Sequence, residues 1–206
     1  MRLAISGVEG SGKSTLVKLL HERFPKYQTA TEGVDEIIQR FRSVMMMPAS
    51  APVITVIEEL RKKPEAYLEF QRQLSQYRAE VEGRTPDIFC DRAHMDGAAF
   101  ASLYLYGAKE LPFQYLRGYM ADCAARTKQT YDLILYLPVP QWSVSSEGRR
   151  RTELNYLHQF DYTLRGLYHQ HGIEIHELKD KTPEGRLMEA VIAMVNGPLR
   201  STRHDP

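Results

Sequence analysis

The most informative motif of the chain is Gly7-Val8-Glu9-Gly10-Ser11-Gly12-Lys13-Ser14. Two glycines five positions apart are followed by Lys and Ser, and an apolar run, residues 2–6, precedes them. From Lys13 onward apolar residues recur at helical spacing, so the sequence predicts a strand, a glycine-rich turn and a helix. In such a turn successive backbone N–H groups point at phosphate oxygens, at the positive end of the helix.

This loop predicts a site for ATP and Mg²⁺. The Lys13 ammonium can reach the β- and γ-phosphates, and the Ser14 hydroxyl can bind the metal. The other predicted ATP-binding residues belong to the loop and to the first helical turn: Gly7, Glu9, Gly10, Ser11, Gly12 and Thr15.

Short apolar runs alternate with helical patterns along the rest of the chain. They predict strands at 27–31, 87–91, 133–137 and 173–178, and helices at 34–45, 64–83, 94–106, 112–127, 152–171 and 183–195. Residues 45–52 are predicted as a flexible connection, either core filler beside a loop or a mobile pocket wall. The alternation predicts an α/β domain, a parallel sheet with helices on both faces and ligands at the carboxyl ends of its strands.

The composition limits the class of protein. With 43% hydrophobic and 26% charged residues among 206, we expect a globular domain rather than a disordered or fibrous chain. The net charge of +1 excludes nucleic-acid binding by bulk charge and leaves a local basic patch open. No apolar run has the length of a membrane helix, so the protein is predicted to be cytoplasmic and to contact no membrane. Cys90 and Cys123 lack metal-ligand spacing and are predicted to be reduced.

The loop, extended to Thr15, resembles that of thymidylate kinase and related P-loop nucleoside and nucleotide kinases. Asp91-Arg92, followed by Asp96-Gly97 and an aromatic-rich helix, is similar to the ribosylnicotinamide-kinase-like branch of that superfamily, and the resemblance covers residues 1–196. It implies a P-loop NTPase three-layer sandwich with a five-stranded parallel sheet of order 2-3-1-4-5. It further implies a single kinase domain over 1–198, an Arg-bearing lid at 138–152 and a tail at 199–206.

Asp91 ends a buried apolar run, so its carboxylate would project toward the Mg²⁺ held by Ser14, where P-loop enzymes carry an acidic metal partner. It is also a candidate for the base that activates the acceptor, and a helix cap is the alternative to both roles. The resemblance implies that Arg92 holds the acceptor, and the alternative is a surface arginine.

Glu32 follows the second predicted strand, where the resembling nucleoside kinases carry the carboxylate that accepts the proton of the attacking hydroxyl. The alternative is an acid that only favours a helix N-terminus. Asp35 lies one helical turn later, where it could share the role of Glu32, and it is also predicted to bind the acceptor. Thr31 and Gly33 stand where nucleotide kinases often carry Arg or Pro, which counts against recognition of a monophosphate at this spot.

Two further groups complete the predicted site. Arg149, Arg150 and Arg151 lie where the lid of small P-loop kinases closes over ATP, and they are predicted to stabilise the transferred charge. A solvated loop or a contact with a nucleic-acid backbone is the alternative. Gln71 and Arg72 are predicted to bind the acceptor, although their neighbours on the long helix also fit a core stripe.

The hypothesis is an ATP- and Mg²⁺-dependent kinase that transfers the γ-phosphate to a hydroxyl or phosphate of a nucleoside- or nucleotide-like acceptor. One alternative is a phage-type 5-hydroxymethyluracil DNA kinase, which would act in the host cytoplasm on a base flipped out of modified DNA. Another is a nucleotide-binding regulatory ATPase with no acceptor. The sequence leaves the acceptor and the oligomeric state open, a homodimer included.

Overall fold

The computed structural model describes residues 1–109, 111–140 and 153–197. These residues form the strands β1 (Arg2–Gly7), β2 (Gln28–Ala30), β3 (Ile88–Asp91), β4 (Leu133–Leu137) and β5 (His176–Glu177). The helices are α1 (Lys13–Arg23), α2 (Val34–Val44), α3 (Val53–Arg61), α4 (Pro64–Glu82), α5 (His94–Leu105), α6 (Phe113–Thr130), α7 (Leu154–Gln170) and α8 (Pro183–Asn196).

The strands form one sheet of order β2-β3-β1-β4-β5, and each neighbouring pair is parallel. This confirms the predicted α/β fold and strand order. Ile5 of β1 is in register with Asp91, and Gly7 is in register with Leu137. The carboxyl end of β3 therefore lies beside the start of the glycine-rich loop, where sheets of this class bind ligands.

The side chains of β1 alternate between two apolar cores, one on each face of the sheet. Leu3 and Ile5 belong to a core shared with α1 and α8. Ala4 belongs to a larger core shared with helices α2 to α7. Both faces of the sheet are therefore covered, which gives the three layers expected of the fold. Cys90 and Cys123 are buried, free thiols.

Helix α3 is absent from the sequence prediction. Its first five residues, 53–57, are all β-branched, a composition with low helix propensity, and only Val56 and Leu60 of the helix are buried. These two side chains are four residues apart on one face and lie in the larger core. Tertiary packing therefore decides this element. Before it, Met45 and Met47 pack partly against the core, and Met46, at φ 53°, is 91% exposed.

The strands at the two edges of the sheet are shorter than predicted. Strand β2 covers residues 28–30 of the predicted 27–31, and β5 covers 176–177 of the predicted 173–178. Each has a strand neighbour on one side alone, so fewer ladder hydrogen bonds hold it. The predicted lid arginines and the tail at 199–206 lie outside the described residues. No helix in the described ranges is long and apolar enough to cross a membrane.

Candidate active site

The glycine-rich loop turns sharply against the neighbouring strand. At Gly7, φ is 133°, and a Cβ there would lie 2.1 Å from the carbonyl oxygen of Leu137. Gly12, at φ 96°, then directs the chain into α1. Because the first N–H groups of a helix have no partner within it, those at the start of α1 can bind an anion.

The Lys13 ammonium is buried beneath this loop. Its Nζ donates hydrogen bonds to the carbonyl oxygens of Gly7 (3.1 Å) and Val8 (2.5 Å). Burial and the charge of Arg92 lower the pKa of Lys13 to about 8, against the opposing effect of the Asp91 carboxylate and others. A polyphosphate in the loop would favour the charged ammonium and would offer it better acceptors than these carbonyl groups.

Ser14 and Asp91 meet at the start of α1 and the end of β3. The Ser14 hydroxyl donates to Asp91 Oδ2 at 2.6 Å, while the buried Oδ1 of Asp91 has no hydrogen-bond partner. A buried carboxylate oxygen without a donor costs free energy unless a cation binds it. The described residues contain no cluster of three or more His, Cys, Asp or Glu side chains for a metal. The pair fits Mg²⁺, which usually takes few protein oxygens and fills its other positions with water and phosphate.

Arg92 and Glu32 form an ion pair beside this metal-binding candidate. Arg92 Nε donates to Glu32 Oε1, and the Arg92 backbone is at φ 82°, in the left-handed region that is uncommon for residues other than glycine. Hydrogen bonds on both sides hold that backbone: its N–H donates to Ile5 at 2.9 Å, and its carbonyl accepts from Arg78. Backbone strain held in this way is typical of functional sites.

The electrostatics of this pair keep Glu32 ionised. Desolvation alone would raise the pKa of Glu32, but the charges of Arg92 and Lys13 and the hydrogen bond from Arg92 lower it below the ordinary value. The Arg92 side chain is 8% exposed and that of Glu32 is 39% exposed. Arg92 is therefore the buried partner of the pair, and the Glu32 side chain remains partly accessible from solvent.

Asp96 connects the loop to this ion pair, and the sequence did not identify it as a site residue. Its fully buried carboxylate accepts hydrogen bonds from Ser6 Oγ (2.7 Å) and from the N–H of Ala93 (3.0 Å). Gly7 N and Arg92 Nη1 each lie 3.4 Å from its Oδ1. One carboxylate thus holds the end of β1, the end of β3 and a site arginine. In sequence it is indistinguishable from an acid in the first turn of a helix.

The loop has a second support from α8. Arg186 donates through Nη1 to the carbonyl oxygen of Ser11 and through Nε to that of Asp180 at 2.8 Å. A Cβ on Gly12 would lie 3.3 Å from Arg186 Nη1. Arg186 is 175 residues from Ser11, and no sequence motif points to this contact.

A cavity of about 510 Å³ opens beside the loop, a size suited to a small organic ligand. Predicted site residues that line it are Glu9, Ser14, Glu32, Asp35, Gln71, Asp91 and Arg92. Thr15 and Arg72 are exposed and are not among the lining residues, and the acceptor contact of Arg72 stays a prediction. Arg72 points away because Phe70 and Gln71 take the buried positions of α4.

The opposite wall of the cavity is aromatic. Tyr67 and Phe70 are buried and line it, so residues of the core stripe of α4 also form part of the cavity wall. Gln71 Nε2 donates to the Tyr67 hydroxyl at 3.1 Å. Arg61, which the sequence analysis did not identify, also lines the cavity, and its Cζ lies 3.7 Å from the centre of the Tyr104 ring.

One protein family and several solved structures resemble this chain. A protein family described as "AAA domain" matches residues 2–186. A search of curated proteins finds no match. Among solved structures, a NadR protein in complex with NR has a TM-score of 0.63 and 17% identity over 94% of this chain, which spans half the length of that protein. A deoxyadenosine kinase from M. mycoides with bound dATP has a TM-score of 0.63 and 16% identity over 96% of this chain and all of that protein. At these identities the likeness shows a shared fold and carries no activity over to this chain.

Proposed function

The chain belongs to an AAA domain family, and on that premise we propose that it is an ATP- and Mg²⁺-dependent kinase with a nucleoside-like acceptor. One observation carries the proposal: the Ser14–Asp91 pair and the Glu32–Arg92 pair line the same cavity, beside the glycine-rich loop. The oxygens of Ser14 and Asp91 can bind a metal, and the Glu32 carboxylate can accept the proton of an attacking hydroxyl. The fold shared with a deoxyadenosine kinase supports the acceptor class.

The loop and Lys13 would hold the phosphates of ATP. The N–H groups at the start of α1 supply donors, and the Lys13 ammonium would leave the carbonyl groups of Gly7 and Val8 for the β- and γ-phosphates. Ser14 and Asp91 would hold Mg²⁺, which neutralises phosphate charge when bound. We propose that Arg149, Arg150 and Arg151 add positive charge on closure.

Glu32 is the proposed proton acceptor. The acceptor hydroxyl oxygen forms a bond to the γ-phosphorus, the bond from that phosphorus to the ADP oxygen breaks, and the hydroxyl proton passes to Glu32. A base in this role must be ionised and within hydrogen-bond reach of the hydroxyl. The lowered pKa of Glu32, caused mainly by Arg92 and Lys13 against desolvation, meets the first condition, and its exposed carboxylate supports the second.

The charge around the cavity favours a small acceptor over a base within DNA. Besides Glu32 and Asp91, the lining includes Glu9, Asp35 and Glu36. A DNA strand carries a phosphate at every nucleotide, and carboxylates along its path would repel it. This supports a free nucleoside-like molecule as the acceptor.

A transfer assay with γ-labelled ATP tests the proposal. The acceptors are nucleosides, nucleoside monophosphates, ribosylnicotinamide and DNA with modified bases, and label in a nucleoside-like product is the expected result. ATP hydrolysis that no acceptor changes would favour a regulatory ATPase. Transfer to modified DNA alone, with a steep dependence on salt, would favour the DNA kinase.

A further inference from the structure

Arg61, the last residue of α3, places its guanidinium group in the wall of the cavity. Its Nε and Nη1 atoms are buried and have no hydrogen-bond partner. Its Cζ lies 3.7 Å from the centre of the Tyr104 ring, so the plane of the group is held by an aromatic face. Among residues 1–109, 111–140 and 153–197, no carboxylate forms an ion pair with Arg61.

The other two arginines that line the cavity, Arg78 and Arg92, each lie beside a carboxylate. Arg92 pairs with Glu32 and Asp96, and Arg78 lies 3.5 Å from Glu82 and donates to backbone carbonyl groups. Arg61 also forms a hydrogen bond with the phenol of Tyr67. Burial raises the pKa of Tyr67 against the charge of Arg61 and this hydrogen bond, so the phenol stays neutral and does not balance the charge of Arg61. Buried donors of a charged group seldom remain unmatched in a working protein. Their match is therefore expected in a ligand.

We propose that the acceptor carries an anionic phosphate group of its own, which Arg61 binds while the hydroxyl of the acceptor meets Glu32. This deepens the proposed kinase function and rests on it. Guanidinium groups are suited to phosphate because their N–H donors and their delocalised charge match its oxygens. The five carboxylates of the cavity would repel a phosphate elsewhere, which leaves the Arg61 wall as the favourable position.

The position of Arg61 separates this phosphate from the point of transfer. Its partner Tyr104 is ten residues beyond His94, the first residue of α5, and the rise of a helix places their Cα atoms about 15 Å apart. His94 follows the end of β3, where Asp91 and Arg92 lie. In the proposed arrangement, the phosphate on Arg61 is a different group from the one that is transferred. The γ-phosphate moves to the hydroxyl, ADP leaves, and the product carries two separate phosphates on one nucleoside.

The test compares each parent nucleoside with its 5′- and 3′-monophosphates, since each monophosphate keeps one hydroxyl free. Transfer from labelled ATP gives KM and kcat, and titration calorimetry with ADP present gives binding without transfer. The variants are Arg61→Gln, which removes the charge, Arg61→Lys, which keeps it, and Arg40→Gln, an exposed arginine of α2, as the control. Circular dichroism and thermal unfolding verify that each variant is folded.

In the wild type we expect one monophosphate to have a KM about 10- to 100-fold below that of its parent nucleoside, because a charged hydrogen bond is gained. Arg61→Gln should remove this difference and leave kcat nearly unchanged, Arg61→Lys should restore part of it, and Arg40→Gln should behave as wild type. The product should be a bisphosphate, with phosphates on two different oxygens of the sugar.

Equal KM values for nucleoside and monophosphates in the wild type would overturn the inference, and so would a diphosphate product, in which the phosphate itself is attacked. An equal effect of Arg61→Gln on the nucleoside and on its monophosphate would also overturn it. If a monophosphate binds through Arg61 but no acceptor is phosphorylated, the kinase proposal fails and the phosphate site stands.

Discussion

Arg92 donates a hydrogen bond from Nε to the carboxylate of Glu32, and this contact joins residues 60 positions apart at the mouth of the cavity. The ion pair lowers the pKa of Glu32 even though desolvation opposes the shift. A proton acceptor with a lowered pKa is fully ionised at neutral pH. We therefore expect that titration of Glu32 does not reduce kcat between pH 7 and about 5, since the ordinary pKa of a glutamate is about 4.3. A kcat that falls tenfold over this range with an apparent pKa near 6 would contradict the assignment.

Glu32→Gln should lower kcat by about 10²- to 10⁴-fold, the usual contribution of a positioned general base, with little change in the KM for ATP. Asp35→Asn is the informative comparison, because Asp35 lines the same cavity one helical turn later. If Asp35→Asn has the larger effect on kcat, Asp35 is the base. Glu22→Gln, an exposed position on α1, is the control.

Lys13→Ala should reduce phosphate transfer by about 10²- to 10³-fold or more, because it removes a cation that stabilises the transferred charge. Lys18→Ala, on the exposed side of the same helix, should have no such effect. Both variants should have the same midpoint temperature of thermal unfolding as the wild type, measured by calorimetry. Retained turnover of Lys13→Ala at ordinary ATP concentrations would refute the ATP site.

Binding of ATP should weaken as the pH rises above 8. The pKa of Lys13 is about 8 in the free protein because burial and Arg92 disfavour its charge, and bound phosphate would raise it. Binding then takes up a proton at high pH, so the Kd for ATP should increase toward tenfold per pH unit above 8. Lys13→Arg stays charged and should have a flat profile between pH 7 and 9.5. The same slope in both proteins, measured by calorimetry, would exclude Lys13 as its source.

Asp91→Asn should raise the Mg²⁺ concentration that gives half-maximal transfer by about tenfold or more. The amide of the variant can still accept the hydrogen bond from Ser14, but it lacks the negative charge of the carboxylate that Mg²⁺ binds. Asp122→Asn, exposed on α6, is the matched control. An unchanged Mg²⁺ titration would show that Asp91 does not bind the metal.

Asp96→Asn should destabilise the protein by about 1–3 kcal/mol and also lower kcat. The buried carboxylate accepts from Ser6 and Ala93, and the NH₂ of an asparagine would face these donors with a donor of its own. Urea unfolding of Asp96→Asn, compared with Asp122→Asn, measures the first effect. Loss of stability without loss of kcat would limit Asp96 to a structural role.

Local patterns in the sequence were sufficient for the parallel sheet, for most helices and for the loop, and the family resemblance supplied the strand order. They also predicted that Asp91 would lie near Ser14, because parallel strands present their carboxyl ends at one edge of the sheet. The metal and proton-transfer roles of these residues stay predictions. Helix α3 was missed because its β-branched residues have low helix propensity. Helical periodicity alone does not say which of the adjacent residues Gln71 and Arg72 lines the cavity.

The phosphate-binding loop can be predicted from the chain alone, because Gly7 to Ser14 are adjacent and their conformation depends on local backbone sterics and the start of a helix. The partners of the site residues become visible only in the folded protein. Glu32 with Arg92, Arg61 with Tyr104 and Arg186 with Ser11 meet through packing of separate elements. Ion pairs, hydrogen bonds and cation–ring contacts all depend on distance in space, which the spacing of residues along a chain does not specify.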